Sequence, residues 1–75
     1  MKLYTGGYLA FYMPQHKKEV EIIIDTPKQL NELLEELHIP QAEVQLVAIN
    51  GEQATLESTV LDTDEVRIYS GTDGG

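Results

Sequence analysis

The sequence ends in Gly74-Gly75, and these residues are its strongest candidates for chemistry. They follow Ser70-Gly71-Thr72-Asp73, a run without a large apolar side chain. Glycine has no Cβ and adopts backbone angles that other residues resist, so such a tail can enter a narrow slot and present a terminal carboxylate. Frayed chain ends are often glycine-rich as well, which is the alternative interpretation. We expect a folded domain over residues 1–70 and a flexible tail over residues 71–75.

Other groups with catalytic or ligating chemistry are few. The chain has no cysteine, which excludes a disulfide, a thiolate metal site and a cysteine nucleophile. His16 is expected in a turn and His38 at a helix end, where the helix dipole accounts for it. Gly6-Gly7 is not followed by the Gly-Lys-Ser/Thr of a phosphate loop. The sequence therefore predicts no metal site and no enzymatic activity of its own.

Charge and hydropathy narrow the classes of partner. Thirteen acidic residues against five basic ones give a net charge of -8, which disfavours nucleic acid and anionic membranes. The acidity would attract a partner with a basic face, or it serves only solubility. No apolar run approaches the roughly 18–20 residues of a membrane span. The N-terminus lacks the apolar segment of a signal peptide, so we expect a cytoplasmic protein.

The apolar pattern predicts the order strand, strand, helix, strand, short strand, strand. The predicted strands are residues 2–13, 19–25, 44–49, 52–56 and 65–69. Gly6-Gly7 is expected to form a bulge or a bend in the first strand, and Asn50-Gly51 is the clearest hairpin signal. The helix is expected to open at Thr26-Pro27 and to end at Ile39-Pro40. Its buried stripe consists of Leu30, Leu33, Leu34 and Leu37.

One helix can cover only one face of a mixed sheet of four to five strands, which predicts an α+β fold with an open face. In the last strand, Arg67 and Tyr69 are expected to point away from the helix. Leu46 and Ala48 are expected on the same open face, although the apolar run 44–49 also suits a strand covered on most of its surface. We interpret these four residues, together with Asp73 in the tail, as a partner contact. A lone exposed tyrosine would be ordinary.

Three motifs together resemble a known family. They are Val47-Ala48-Ile49-Asn50-Gly51, Asp64-Glu65-Val66-Arg67-Ile68-Tyr69 and the final Gly74-Gly75. In this spacing the chain resembles the MoaD/ThiS family of ubiquitin-like β-grasp sulfur carriers over nearly its whole length, and especially the small subunit of molybdopterin synthase. Those subunits usually carry an aromatic-proline-proline stretch before the diglycine. Here Tyr69 matches the aromatic position, and Ser70-Gly71-Thr72-Asp73 replaces the rest.

The resemblance implies a specific function for Gly75. An E1-like adenylyltransferase of the ThiF/MoeB type would adenylate its carboxylate with ATP and magnesium, while the carrier itself binds no cofactor. Sulfur from a cysteine desulfurase persulfide would then replace AMP to give a thiocarboxylate. Gly74 would give the tail access to these enzymes. The sulfur would pass to a molybdopterin synthase large subunit or a thiazole synthase, and we favour the molybdopterin or tungstopterin type over thiazole.

Two alternatives share the same tail. A ubiquitin-like protein modifier would join Gly75 to a lysine through an isopeptide bond. A plain binding module would dock a partner on its open sheet face and carry an inert tail.

Overall fold

Short strands and one α-helix make up most of the computed structural model, which describes residues 1–71. Their bounds are β1 (Lys2–Gly6), β2 (Glu19–Glu21), β3 (Lys28–Gln29), α1 (Leu30–Glu36), β4 (Val44–Ile49), β5 (Glu52–Ala54), β6 (Thr59–Val60) and β7 (Glu65–Ser70). Single 3-10 turns lie at Leu9–Tyr12, Pro14–His16 and Gln41–Glu43. Within residues 1–71, no helix is long and apolar enough to cross a membrane.

The main sheet has five strands in the order β2-β1-β7-β4-β5. The central pair β1 and β7 is parallel, and every other pair in this sheet is antiparallel. Strands β3 and β6 form a separate two-stranded pair. A mixed five-stranded sheet with one helix packed on one face confirms the predicted α+β class and its ubiquitin-like β-grasp arrangement.

The core lies between the helix and the sheet. Val66 and Ile68 point inward from β7 and are fully buried, as the alternation in this strand predicted. Leu30, Leu33 and Leu34 of the helix are buried against the same cluster. A helix of seven residues is too short to be stable alone, so this packing holds it in place.

The helix begins later than the sequence predicted. Residues 28–29, expected in its first turn after Thr26-Pro27, instead pair with Thr59–Val60 as strand β3. The first helical amides then find acceptors in the loop before β6, because Leu30 N donates to Ser58 O at 2.9 Å. This pairing joins segments 30 residues apart in the chain, and no local signal at Thr26-Pro27 indicates it.

The helix also ends earlier, at Glu36 rather than at Ile39-Pro40. His38 has a φ of 62°, and Ile39 N donates back to Leu34 O at 2.9 Å. His38 N donates to Glu35 O at 3.1 Å, which completes a Schellman motif. The position of His38 at a helix end was predicted, and its role in the structure is the left-handed turn.

The predicted strand over residues 2–13 is wrong beyond Gly6. Gly7 has a φ of 65°, and the bend predicted at Gly6-Gly7 ends the strand. The chain then forms a 3-10 turn that buries Leu9. The hydroxyl of Tyr12 donates to Glu43 Oε1 at 3.0 Å and ties this turn to the one before β4. That hydrogen bond, with the nearby negative charge, raises the pKa of Tyr12.

Strand β2 is shorter than the predicted strand over residues 19–25, because its partner strand β1 begins at Lys2 and offers no further residues for pairing. Lys2 pairs with Glu21, which leaves only Met1 beside the next residue. Ile22 N still donates to Met1 O at 2.8 Å. Beyond this point the chain leaves the sheet, and Ile23 is 84% exposed.

The hairpin at Asn50-Gly51 is confirmed and is joined to the start of β7. Asn50 and Gly51 have φ values of 54° and 85°, as in a type I′ turn between β4 and β5. Asn50 Nδ2 donates to Asp64 Oδ1 at 2.9 Å, and Asn50 Oδ1 accepts from Glu65 N at 2.9 Å. Asp64 Oδ2 also accepts from Leu61 N at 2.8 Å. The asparagine therefore fixes both its own turn and the entry to the central strand.

Replacing Asn50 with alanine is expected to lower the free energy of unfolding by about 2 kcal/mol. The substitution removes both side-chain hydrogen bonds of Asn50. It also leaves alanine at a positive φ, where no polar side chain offsets the steric cost of the left-handed conformation. Urea denaturation measures the change. Gln53→Ala, an exposed substitution in the adjoining strand, is the control and should change stability by less than about 0.5 kcal/mol. Equal effects of the two variants would contradict this role of Asn50.

A second polar contact lies at the same end of the sheet, beside the start of β1. Asp62 Oδ1 accepts from Ile24 N at 2.9 Å and from the Met1 ammonium at 3.4 Å. The Ile24 hydrogen bond and then the ammonium lower the pKa of Asp62 below its ordinary value. Both contacts favour the ionised carboxylate.

This lowered pKa predicts a pH dependence of stability. The contribution of Asp62 is fully present above its unfolded pKa of about 4 and is lost as the pH falls through the lower folded pKa. The stability gap between wild type and Asp62→Asn should therefore narrow from pH 6 toward pH 2, as measured by urea denaturation. Asp25→Asn changes the net charge equally and is the control. A gap that stays constant with pH would contradict the prediction.

Candidate functional site

The sheet face opposite the helix carries the four residues that the sequence placed there. Leu46 lies opposite Tyr69, and Ala48 lies opposite Arg67, in the antiparallel pair of β4 and β7. Directly opposed residues in a sheet point to the same side, so the four side chains share the open face. The expectation that β4 is covered on most of its surface is wrong, because within it only Val47 is buried and Leu46 is 45% exposed.

Tyr4 completes this face from the neighbouring strand β1. It lies beside Arg67 in the parallel pair, and the Arg67 guanidinium carbon is 5.1 Å from the centre of its ring. Its ring centroid is 6.4 Å from that of Tyr69. Tyr4 was not predicted on this face, because the polar residue Thr5 points into the core and interrupts the apolar alternation of the strand. The alternation of Leu3 and Tyr4 was the available signal.

Arg67 is a fixed positive charge in the middle of the open face. Its Nη2 lies 3.6 Å from Glu65 Oε2 on the same strand. The Tyr69 hydroxyl, followed by Glu65, raises the pKa of Arg67 above its ordinary value. An arginine in this position stays charged at every pH at which the protein is folded, and its plane suits contact with aromatic rings and carboxylates.

A β-bulge shapes the end of the face nearest the tail. Val44 pairs with Ser70 and Leu46 pairs with Tyr69, so Gln45 is an extra residue in β4. The bulge turns Leu46 toward the open face and leaves a groove of about 340 Å³. The groove is lined by Gln45, Leu46, Tyr69, Ser70 and Gly71. The groove therefore includes Gly71, the residue directly before the last four residues of the sequence.

The ring of Tyr69 lies directly over Gly6 of the neighbouring strand. A Cβ at Gly6 would overlap Tyr69 Cδ1, so only glycine leaves room for the ring in this position. Tyr69 is thereby held beside the groove, half-buried, with its hydroxyl end toward Arg67. This contact explains why residue 6 is a glycine.

Exposed aromatic side chains continue beyond the sheet at the same end. Tyr8 is about half exposed and follows the bend, and its backbone N–H contacts Ser70. Phe11 is 67% exposed and stacks on His16 with ring centroids 5.1 Å apart. The structure thus adds Tyr8 and Phe11 to the surface around the start of the tail. The run of aromatic residues in 2–13 was their only sequence signal.

The tail residues predicted to react or to contact a partner lie outside this description. Asp73, Gly74 and Gly75 belong to residues 72–75, which follow the described part of the chain. Within residues 1–71, no three His, Asp or Glu side chains converge to hold a metal ion. The described site therefore consists of the open face and its groove, and it ends at Gly71.

Comparison with known proteins identifies the family. A search of curated proteins found no match to this chain. A family model described as Mut7-C ubiquitin matches residues 3–73, which is nearly the whole sequence. The match agrees with the β-grasp sheet and with the resemblance to small ubiquitin-like proteins of the MoaD/ThiS type. The chain belongs to the Mut7-C ubiquitin family of ubiquitin-like domains.

Proposed function

We propose that the protein is a sulfur carrier whose Gly75 carboxylate is converted to a thiocarboxylate. The observation that carries this proposal is the continuity of β7 with the tail. The central strand bears Arg67 and Tyr69 on the open face and leads within five residues of Ser70 to Gly74-Gly75. A partner that binds the face is therefore in reach of the diglycine.

The proposed chemistry has three balanced steps. The Gly75 carboxylate attacks the α-phosphorus of ATP and releases pyrophosphate, which gives an acyl adenylate. The terminal sulfur of a partner persulfide attacks the acyl carbon, and AMP leaves. A second thiol of the partner then attacks the sulfur–sulfur bond of the acyl persulfide. That thiol is oxidised to a disulfide with the persulfide-bearing cysteine, and Gly75 keeps the sulfur as a thiocarboxylate.

This chemistry assigns separate roles to the chain and its partners. An E1-like adenylyltransferase supplies the ATP and magnesium site, and a cysteine desulfurase supplies the persulfide. The carrier supplies a carbonyl carbon with no side chain to crowd the attack. From Gly71 the tail spans at most about 14 Å, which is long enough to enter a neighbouring active site. The acceptor we propose is an enzyme of molybdopterin or tungstopterin synthesis in the cytoplasm.

The open face supports docking of such a partner. Leu46, Ala48, Tyr4 and Tyr69 offer apolar and aromatic area around a single arginine. Aromatic and arginine side chains carry much of the binding energy in protein interfaces. The net charge of -8 favours rapid association with a partner that has a basic surface.

Intact-mass spectrometry of the protein from its native cells tests the proposal. The expected result is a population in which one terminal oxygen is replaced by sulfur. A chain that keeps its terminal oxygen in sulfur-replete cells containing the activating enzyme contradicts it. Target lysines that carry residues 68–75 in isopeptide linkage after trypsin digestion, with no effect of the chain on cofactor synthesis, would instead favour a protein modifier.

Deleting Gly75 is expected to abolish thiocarboxylate formation without changing the thermal midpoint. The deletion moves the carboxylate back by one residue and leaves the described domain intact, so activation should fall at least about a hundredfold. Sulfur incorporation with the activating enzyme measures this change. Thr72→Ala alters the same tail and is the control. Full activity after the deletion would show that Gly75 is not the acceptor.

Leu46→Ala is expected to weaken binding of the activating enzyme by about 1–2 kcal/mol, because it removes an apolar contact beside the groove at the tail end of the open face. Leu46 is nearly half exposed in the free protein, so the free energy of unfolding should change little. Isothermal titration calorimetry measures the affinity. Ile23→Ala removes an exposed apolar side chain elsewhere and should leave it unchanged. Equal losses of affinity in both variants would show that the activating enzyme does not bind specifically through the open face.

A further inference from the structure

Ser70 joins the end of β7 to the bend after β1. Its side chain is almost completely buried, with the residue only 3% exposed. Its Oγ accepts a hydrogen bond from Tyr8 N at 3.1 Å and donates toward Gly71 O at 3.4 Å. The hydroxyl therefore uses both its donor and its acceptor at the point where the tail begins.

The bend is shaped to receive this hydroxyl. Gly7 has a φ of 65°, which side chains disfavour, and a Cβ at Gly7 would overlap Ser70 Oγ. Glycine is thus required here for two independent reasons, the backbone angle and the approach of Ser70. We call the set Gly7, Tyr8 N and Ser70 Oγ the tail-root contact.

The tail-root contact extends the sheet by one residue. The parallel ladder between β1 and β7 ends with Gly6 beside Tyr69, so Ser70 has no ladder partner in β1. On its other side Ser70 still pairs with Val44 of β4. The hydroxyl supplies on the β1 side the hydrogen bond that the backbone no longer makes. Both sides of Ser70 are therefore held.

No proline follows to set the direction of the chain. The sequence after Ser70 is Gly71-Thr72-Asp73-Gly74-Gly75, in which three of five residues are glycine. Glycine places few restrictions on the backbone, so the tail has no local device to fix its departure. Ser70 is the last residue of β7.

We propose that Ser70 is a positioning residue, which fixes through the tail-root contact the point and direction in which the tail leaves the domain. This inference rests on the proposed function, because the group being positioned is the Gly75 carboxylate. Without the contact, β7 frays by one residue or more, and the partner must order a longer segment when it binds. The cost falls on binding of the carrier, so the expected effect is on KM and not on kcat.

Ser70→Ala removes only the hydroxyl and tests the proposal in two measurements. Amide hydrogen exchange by NMR on the protein alone should show faster exchange of Tyr8 N–H by roughly fivefold. Exchange at Leu3 and Val66 in the core should stay unchanged. ATP–pyrophosphate exchange with the adenylating enzyme should show KM for the carrier raised by roughly fivefold, with kcat within about twofold.

Two further variants make the result specific. Gly7→Ala disturbs the same contact from the bend after β1 and should also raise KM for the carrier. The same effect from both variants would show that the raised KM does not come from a packing defect at Ser70 alone. Thr63→Ala removes an exposed hydroxyl from a distant turn and should match wild type in both measurements.

The outcomes separate this inference from the proposed function. If the wild-type chain is not adenylated at all, the proposed function fails, and the positioning role fails with it, even if hydrogen exchange shows the contact. If wild type is adenylated and Ser70→Ala keeps its KM, the positioning role is overturned although the proposed function stands. Faster Tyr8 exchange with an unchanged KM would show that the contact only stabilises the fold.

Discussion

The pairing of β7 on both of its edges determines most of this structure. The strand is parallel to β1 and antiparallel to β4, and its inward side chains fill the core beneath the helix. A central strand of this kind cannot shift without breaking two ladders at once, and a shift by one residue would turn its buried side chains outward. The end of β7 is consequently a fixed point. Because β1 runs parallel to it, the bend after β1 lies at that same end, and this topology brings Gly7 and Ser70 together.

Asn50 and Asp64, two of the motif residues behind the family resemblance, have structural roles. Asn50 bonds to Asp64 and to Glu65 N, and so it ties the β4–β5 hairpin to the beginning of β7. Ser70 and Gly7 hold the other end of the same strand. Both ends of β7 are thus secured by side chains outside the regular ladder. The chemical group that we propose, the carboxylate of Gly75, needs a rigid domain behind it and no catalytic side chain within it.

Local signals in the sequence predicted the parts of the fold that local interactions determine. Asn50-Gly51 specifies its own turn, and the alternation in 65–69 gave the correct inward and outward faces. The start of the helix could not be predicted, since it depends on pairing of β3 with β6, which are about 30 residues apart in the sequence. Tyr4 and Ser70 were missed as site residues for the same reason. Each acquires its role from contacts with a neighbouring strand or with the bend after it. The local sequence of one segment does not determine which strands are neighbours in the sheet.

On this surface the net charge acts over a longer distance than apolar contact does, and the two have different effects on binding of the proposed partner. Near the open face, Arg67 lies close to Glu65 and Lys2 lies close to Glu19, so the charges there are largely balanced. Exposed ion pairs of this kind contribute little to stability or affinity. The net charge of -8 acts over longer distances and affects the rate of approach, within a Debye length of about 8 Å at physiological salt. Once the surfaces meet, Leu46 and Tyr69 provide the area that is removed from water. The partner that we propose would therefore need a basic periphery for approach and an apolar centre for contact, beside a slot for the tail.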